Sequence, residues 1–152
     1  MRDEVIVRPA VVSEKEQLEA LQWRASLNNP GDRLALQAHP DAIELSLEQI
    51  RGGGVYVAEV AGAICGFAAI LPRDDGDSEL DALFVEPDLW RRGIGRELVE
   101  HCAAAARAAG AESLHVVGNP HAEGFYSACG FQILGTKQMR FGVGLLMKRA
   151  LR

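Results

Sequence analysis

The stretch of the chain that says most about its fold reads Leu80-Asp81-Ala82-Leu83-Phe84-Val85-Glu86-Pro87-Asp88-Leu89-Trp90-Arg91-Arg92-Gly93-Ile94-Gly95-Arg96-Glu97-Leu98. A strand pattern over residues 80–85 ends at Glu86-Pro87, and an amphipathic helix pattern begins at Gly93. Glycine lets the backbone approach a ligand closely, and the first turn of a helix offers unpaired N–H groups at a positive dipole end. The stretch therefore predicts a pyrophosphate cradle, with a simple strand-to-helix turn as the alternative.

The charge distribution favours a small anionic ligand. The chain has a formal net charge of −5, yet Arg91, Arg92 and Arg96 crowd around the two glycines. Arginines form charge-assisted hydrogen bonds with phosphate oxygens, whereas nucleic-acid binding needs a broad basic face, so we expect no nucleic-acid partner. The P-loop pattern Gly-x-x-x-x-Gly-Lys-Ser/Thr is absent, and Leu98 stands where a dinucleotide-binding fingerprint needs its third glycine.

Two motifs carry a resemblance to a known family. Residues 90–95 resemble the acyl-CoA signature Gln/Arg-x-x-Gly-x-Gly/Ala of the GCN5-related N-acetyltransferase (GNAT) superfamily and depart from it at Trp90. The preceding residues 84–87 are similar to the family's aromatic-Val-x-Pro strand end. The second motif is similar to Asn-x-x-Ala-x-x-Phe-Tyr-x-x-x-Gly-Phe and matches at Asn119, Ala122, Phe125, Tyr126, Gly130 and Phe131.

The resemblance implies how acetyl-CoA would be bound. The cofactor is expected in a cleft between the strands at residues 80–85 and 113–117, with its pantetheine arm along the backbone of Leu83, Phe84 and Val85. A backbone N–H near Phe84 or Val85 is expected to polarise the thioester carbonyl. The resemblance places Asn119 and Tyr126 near the thiol end of the cofactor. It places the pyrophosphate on a loop formed by Arg91, Arg92, Gly93, Ile94, Gly95 and Arg96.

Acetyl transfer to an amine needs a base for the amine and a proton for the departing thiolate. Tyr126 matches the tyrosine that protonates the thiolate in the family, and a packed helix aromatic is the alternative role. Glu79 and Asp81 are the candidate bases, because several family members have a carboxylate at this part of the strand. The two alternate with Leu80 and so are expected to share a strand face, with Glu79 preferred and a solvated strand end as the alternative. His115, on the other strand of the cleft, is a further candidate.

The chain as a whole predicts a single α/β (α+β) domain over residues 1–152, with a mixed and mostly antiparallel sheet of six to seven strands and about four helices. The resemblance adds a V-shaped splay between the fourth and fifth strands. Ser13 and Glu16 suggest a capping box for the first helix, and residues 40–50 suggest a second helix. Residues 72–77 read as a loop before the strand at 80–85, and residues 131–134 and 145–151 read as a final antiparallel pair.

The predicted function is transfer of an acetyl group from acetyl-CoA to a primary amine, in a monomer or homodimer. The alternatives are an acyl-CoA-binding sensor without turnover and an interaction domain whose glycine loop is only a turn. No metal site is predicted, since the histidines lack metal-ligand spacing. We expect a cytoplasmic chain without a membrane partner, because no apolar run reaches about 18 residues, no secretory signal is visible and the cysteines number three.

Overall fold

A computed structural model describes residues 4–28, 37–38, 43, 45–140 and 142–151. The strands are β1 (Val5–Pro9), β2 (Val55–Val60), β3 (Ala63–Pro72), β4 (Ser78–Val85), β5 (Ser113–Gly118), β6 (Gln132–Met139) and β7 (Gly142–Ala150). Within the described ranges, the α-helices with defined bounds are α1 (Lys15–Leu27), α2 (Leu47–Arg51), α3 (Ile94–Ala108) and α4 (Glu123–Ala128). The strands form one sheet in the order β1-β2-β3-β4-β5-β7-β6. The predicted mixed sheet with flanking helices is confirmed.

Two apolar clusters cover opposite faces of this sheet. The first lies against α3, whose residues Leu98, Val99 and Cys102 are fully buried. The second lies beneath α1 and α2, where Leu18 and Leu21 pack with residues of β2 and β3. Burying apolar surface in this way is the main stabilising contribution to a fold of this size. The two layers leave β4 between them, with β5 as its neighbour.

The strands β4 and β5 separate soon after they meet. Among the described strands they form the one parallel pair, and they pair at Ser78–Leu114, Glu79–His115 and Leu80–Val116. The register with β3 shifts at the same point, because Ala69 pairs with Ala82 and Ile70 with Leu80, which leaves Asp81 as an extra residue. A bulge of this kind bends a strand and disrupts its ladder. The predicted splay is confirmed, and the bulge at Asp81 gives its physical cause.

Several element ends differ from the sequence expectations. The first helix begins with a short 3₁₀ turn, and the Glu14 carboxylate accepts the Val11 N–H at 2.9 Å, so the capping box predicted at Ser13 and Glu16 is wrong. Glutamate reaches back three residues equally well from position 14. In place of the helix predicted over residues 40–50, the structure has α2 beginning at Leu47, where the Ser46 side chain accepts the Gln49 N–H and caps it. Residues 39–42 and 44 lie outside the described residues.

The strands of the second half are longer than predicted. The strand β4 starts at Ser78, two residues before the predicted start, because it already pairs there with β3 and β5. The strand β6 continues to Met139, and β7 already begins at Gly142. Their backbone pairing includes residues too polar to show a strand pattern in the sequence. In the part of the chain that the structure describes, no helix is long and apolar enough to cross a membrane.

Candidate functional site

The separation of β4 and β5 opens a cleft of about 850 Å³. One wall is β4 from Leu80 to Val85, and the other is the end of β5 from Val116 to Gly118. The floor at one end is formed by the loop after β4 with the first turn of α3, and by one side of α4. The two sequence motifs, which lie about 25 residues apart along the chain, are therefore brought together around one cavity.

Most of the predicted site residues line this cleft. They are Asp81, Leu83, Phe84, Val85, Arg91, Gly93, Ile94, Gly95, Arg96, Asn119 and Tyr126. Three candidate residues do not line it: Arg92, which is exposed on the loop, and Glu79 and His115, which pair with each other before the strands separate. The sequence expectation did not include Trp90 as a site residue, although its side chain lines the cleft as well.

The backbone of β4 presents hydrogen-bonding groups to the cleft at alternate residues. The Glu86 N–H donates to the Cys65 carbonyl of β3 at 2.8 Å, so residue 86 faces β3. Antiparallel pairing alternates, and therefore Phe84 also faces β3 while Leu83 and Val85 face away from it. Beyond Leu80 no β5 residue pairs with them. An extended ligand could add to β4 here as a short strand, with Leu83 and Val85 rather than Phe84 supplying the N–H groups.

The loop between β4 and α3 has two residues in the left-handed region. Arg91 has φ of +66° and Gly93 has φ of +85°, and Gly93 forms the N-cap of α3. A side chain at position 93 would meet nothing within 4 Å, so the conformation and not crowding calls for glycine there. The first N–H groups of α3 have no intrahelical partners, as in any α-helix, and they lie at its positive dipole end. This end lines the cleft together with Arg91 and Arg96.

Gly95, in the first turn of α3, has no side chain because of a close neighbour and not because of its backbone conformation. A Cβ at Gly95 would lie 3.2 Å from two atoms of the Phe125 ring. Glycine therefore allows α4 to pack close to the first turn of α3. Both motifs of the sequence meet at this contact, which joins the N-terminal end of α3 to the helix that carries Tyr126.

The Tyr126 ring is the most enclosed aromatic side chain of the cleft, with 8% of the residue exposed. It makes edge contacts with Phe125 and Phe131, at 5.2 and 5.5 Å between ring centroids. A Cβ at Gly118 of β5 would lie 3.0 Å from the ring, so this glycine makes room for it. Burial raises the pKa of the Tyr126 phenol well above its ordinary value. The hydroxyl is thus protonated at neutral pH and can donate a proton or hydrogen bond.

The two candidate bases have different surroundings. Asp81 is exposed, lies at the bulge and lines the cleft. Glu79 is half-buried and forms a 3.6 Å ion pair with Arg73. Because the bulge interrupts the alternation of β4, the expectation that the two carboxylates share one strand face stays a prediction. Leu80 packs in the cluster beneath α3, whereas Ala82 packs against the opposite cluster.

A third acidic group, Asp77, lies outside the lining of the cleft, directly before the segment where β4 and β5 pair. Oδ2 of Asp77 is 2.9 Å from Nε2 of His115, and Oδ1 of Asp77 accepts two backbone N–H groups. Asp75, Asp77 and His115 could hold a metal ion by distance alone, because their ligand atoms lie within 4.8 Å of one another. Asp75, however, is paired with Arg73, and Asp77 already has three partners. The sequence expectation of no metal site stays a prediction.

Asn119 lines the cleft directly after the end of β5. Its side-chain oxygen accepts the His121 N–H at 2.9 Å and caps the 3₁₀ turn that precedes α4, as the Asn-Pro pair predicts. This contact holds the end of β5 against the start of the helix that carries Tyr126. The cap therefore gives Asn119 a structural role, and its predicted contact with the cofactor stays a prediction.

Comparison with known proteins identifies this arrangement. The family model described as "Acetyltransferase (GNAT) family" matches residues 16–131, which include both motifs and the whole of the cleft. The chain belongs to the GNAT family. The resemblance inferred from the two motifs is thereby confirmed, and acetyl transfer is the activity that membership brings. The alternative of a sensor without turnover is not favoured.

One relative and two solved structures illustrate the likeness. The peptidyl-lysine N-acetyltransferase YjaB of Salmonella typhimurium is 30% identical over 134 residues, which cover 88% of this chain and 87% of that protein. The fold matches a GCN5-related N-acetyltransferase from Rhodopseudomonas palustris with a TM-score of 0.78 at 19% identity, over 99% and 98% of the two chains. It also matches the PaiA N-acetyltransferase of Thermoplasma acidophilum, solved with coenzyme A, with a TM-score of 0.75 at 14% identity, over 97% and 99%.

Proposed function

We propose that this GNAT protein transfers the acetyl group of acetyl-CoA directly to a primary amine. The observation that carries the proposal is the loss of β4–β5 pairing beyond Leu80 and Val116, which leaves the backbone of Leu83 and Val85 facing an open cleft. Coenzyme A in the PaiA structure supports the choice of ligand. The cleft has β4 on one side and the positive dipole end of α3 at its floor, which suits a ligand with an extended arm and a pyrophosphate.

The backbone of β4 would orient the reacting group. Leu83 and Val85 each offer an N–H on the cleft side, and one of them would donate to the thioester carbonyl. This donation polarises the carbonyl and stabilises the negative charge that develops on its oxygen during attack. The first turn of α3, with Arg91 and Arg96, would hold the pyrophosphate, and this contact fixes how far the pantetheine arm reaches into the splay.

Proton transfers would be divided between two sides of the cleft. The amine must lose a proton before or during attack, because most primary amines are protonated at neutral pH. Among the described residues, Asp81 is the carboxylate that lines the cleft, which supports it as proton acceptor over Glu79. Tyr126 would protonate the departing thiolate as the carbon–sulfur bond breaks and the carbon–nitrogen bond forms. Because burial raises the pKa of the phenol, the phenolate left after this transfer would be a strong base and would take up a proton again before the next turnover.

The acceptor we propose is the side-chain amine of a lysine in a peptide. Support comes from YjaB, which is named for peptidyl-lysine acetylation and is 30% identical to this chain over most of both lengths. A free small-molecule amine is the second candidate, and the open approach to Asp81 would admit either one.

An acceptor screen tests the proposal. Release of the CoA thiol from acetyl-CoA would be followed with lysine-containing peptides, with the same peptides carrying arginine in place of lysine, and with polyamines and free amino acids. We expect thiol release that depends on lysine, with the acetyl group on its Nζ by mass spectrometry. Peptides acetylated only at the N-terminal amine, or turnover with small amines alone, would overturn the proposed acceptor.

A further inference from the structure

Trp90 makes a hydrogen bond that its position in the motif does not predict. Its indole Nε1–H donates to the carbonyl of Val85 at 2.8 Å. The ring lies beside the cleft, and 41% of the residue is exposed. A large aromatic residue with that exposure contributes little to the core, so its burial does not explain its placement.

The bond closes the loop that leads to the anion-binding helix end. A 3₁₀ turn (Pro87–Leu89) lies between Val85 and Trp90. Within it, the Leu89 N–H donates to the Glu86 carbonyl at 2.9 Å. The next residue, Arg91, is in the left-handed region, which costs a non-glycine residue of this kind about 1 kcal/mol or more. The indole bond therefore holds the chain directly before the strained residue and fixes where Gly93 and α3 begin.

The bond also changes which β4 groups are open to a ligand. Val85 faces the cleft side, where its carbonyl would otherwise accept a hydrogen bond from an extended ligand. Because Trp90 occupies that carbonyl, the cleft side of β4 retains the N–H of Val85 and both groups of Leu83. The residue that departs from the family signature thus acts on both halves of the cofactor site.

We propose that Trp90 is a positioning residue for acetyl-CoA, which acts by tying the pyrophosphate loop to the end of β4 through the Val85 carbonyl. This inference rests on the proposed acetyl-CoA site. It assigns a positioning role to the hydrogen bond from the Trp90 indole, at a position where the family signature has Gln or Arg. The indole N–H is the group that matters, and the ring supplies part of the cleft wall.

The test compares Trp90→Phe, which removes the N–H and keeps an aromatic ring, with Trp23→Phe. Trp23 is the other tryptophan of the chain and lies on α1, outside the lining of the cleft. We expect a rise of roughly three- to tenfold in the CoA dissociation constant for Trp90→Phe, the range for the loss of one hydrogen bond. Trp23→Phe should bind CoA with wild-type affinity. Melting without ligand confirms that each variant folds.

Tryptophan fluorescence shows whether CoA binds beside the Trp90 ring. In Trp23→Phe the emission comes from Trp90 alone and should change when CoA is added, while in Trp90→Phe the CoA-dependent change should be lost. Adenosine 3′-phosphate 5′-diphosphate, which carries the pyrophosphate without the pantetheine arm, should lose affinity for Trp90→Phe by a similar factor. Wild-type affinity of a folded Trp90→Phe for CoA would overturn the inference. Absence of CoA binding by the wild-type chain would instead overturn the proposed function.

Discussion

Nε2 of His115 lies 2.9 Å from Oδ2 of Asp77, and this contact joins the β3–β4 loop to the strand that forms one wall of the cleft. The other oxygen of the same carboxylate accepts the N–H groups of Glu112 and Ser113, each at 3.1 Å. Asp77 therefore fixes the start of β5 close to the point where β4 and β5 part. The hydrogen bond from His115, followed by those from the two backbone groups, lowers the pKa of the Asp77 carboxyl.

The lowered pKa predicts an acid-dependent contribution to stability. A carboxyl whose folded-state pKa lies below its unfolded value of about 3.9 stabilises the fold above that value, and the contribution is lost as the pH falls through the folded-state pKa. Asp77→Asn should therefore melt at a lower temperature than the wild type at pH 7, with the difference shrinking below about pH 4. Asp74→Asn, at an exposed position of the same loop, is the matched control. A difference between Asp77→Asn and wild type that is independent of pH would contradict the account.

Replacing Tyr126 by phenylalanine tests the proposed acid. The ring contacts with Phe125 and Phe131 would be retained, so melting temperature and CoA affinity should change little. The turnover rate should fall by about 10²- to 10⁴-fold, the usual contribution of one general acid. Steady-state kinetics with a CoA titration on the same sample measures both quantities. Turnover within about threefold of wild type, far less than one general acid contributes, would leave Tyr126 as a packing residue only.

The two carboxylates of β4 can be distinguished by their neutral isosteres. Asp81→Asn should lower the turnover rate by about 10²-fold or more, because it removes the acceptor for the amine proton. The difference in turnover rate between wild type and Asp81→Asn should become smaller at high pH, because more of the amine is already neutral there. Glu79→Gln should have a smaller effect, since its carboxylate pairs with Arg73 outside the cleft lining. The reverse ranking of the two variants would transfer the proton-acceptor role to Glu79.

The arginines of the loop should differ in their contribution to cofactor binding. Arg96 lines the cleft and Arg92 does not, although both are exposed. Arg96→Gln should therefore weaken CoA binding more than Arg92→Gln, with little change in stability from either, because exposed charges contribute little to folding. Isothermal titration at low and high salt provides the measurement. The affinity difference between the two variants should shrink as salt screens the phosphate contact, and equal effects at low salt would count against the assignment of Arg96.

The sequence was sufficient for the architecture and for the surroundings of the cleft. The strand-to-helix pattern around Gly93 and the second motif around Tyr126 predict two elements that the fold places side by side. Local patterns carry this information because the periodicity of apolar residues and the turn chemistry depend on neighbours along the chain. The family resemblance then supplied the splay between β4 and β5, which no local pattern contains.

Other features depend on contacts between distant residues and were missed. The bulge at Asp81 arises from the register with β3, so simple alternation along β4 does not assign the face of Asp81. The close contact that Gly95 allows with the Phe125 ring was not foreseen, and its predicted contact with the cofactor stays a prediction. The bond from Trp90 to Val85 has no signature beyond an aromatic residue where the family has a polar one. At Trp90, the departure from the family motif thus coincides with a hydrogen bond that the motif does not encode.

The fate of an isotope-labelled acetyl group tests the central claim most directly. Labelled acetyl-CoA would be incubated with the protein and a lysine-containing peptide, and the label would be followed by mass spectrometry while released CoA thiol is counted. Direct transfer predicts one labelled amide on the peptide for each thiol released, with little free labelled acetate. Label recovered only as acetate, with the peptide unmodified, would contradict the account, because the cleft would then hydrolyse the thioester without an amine acceptor.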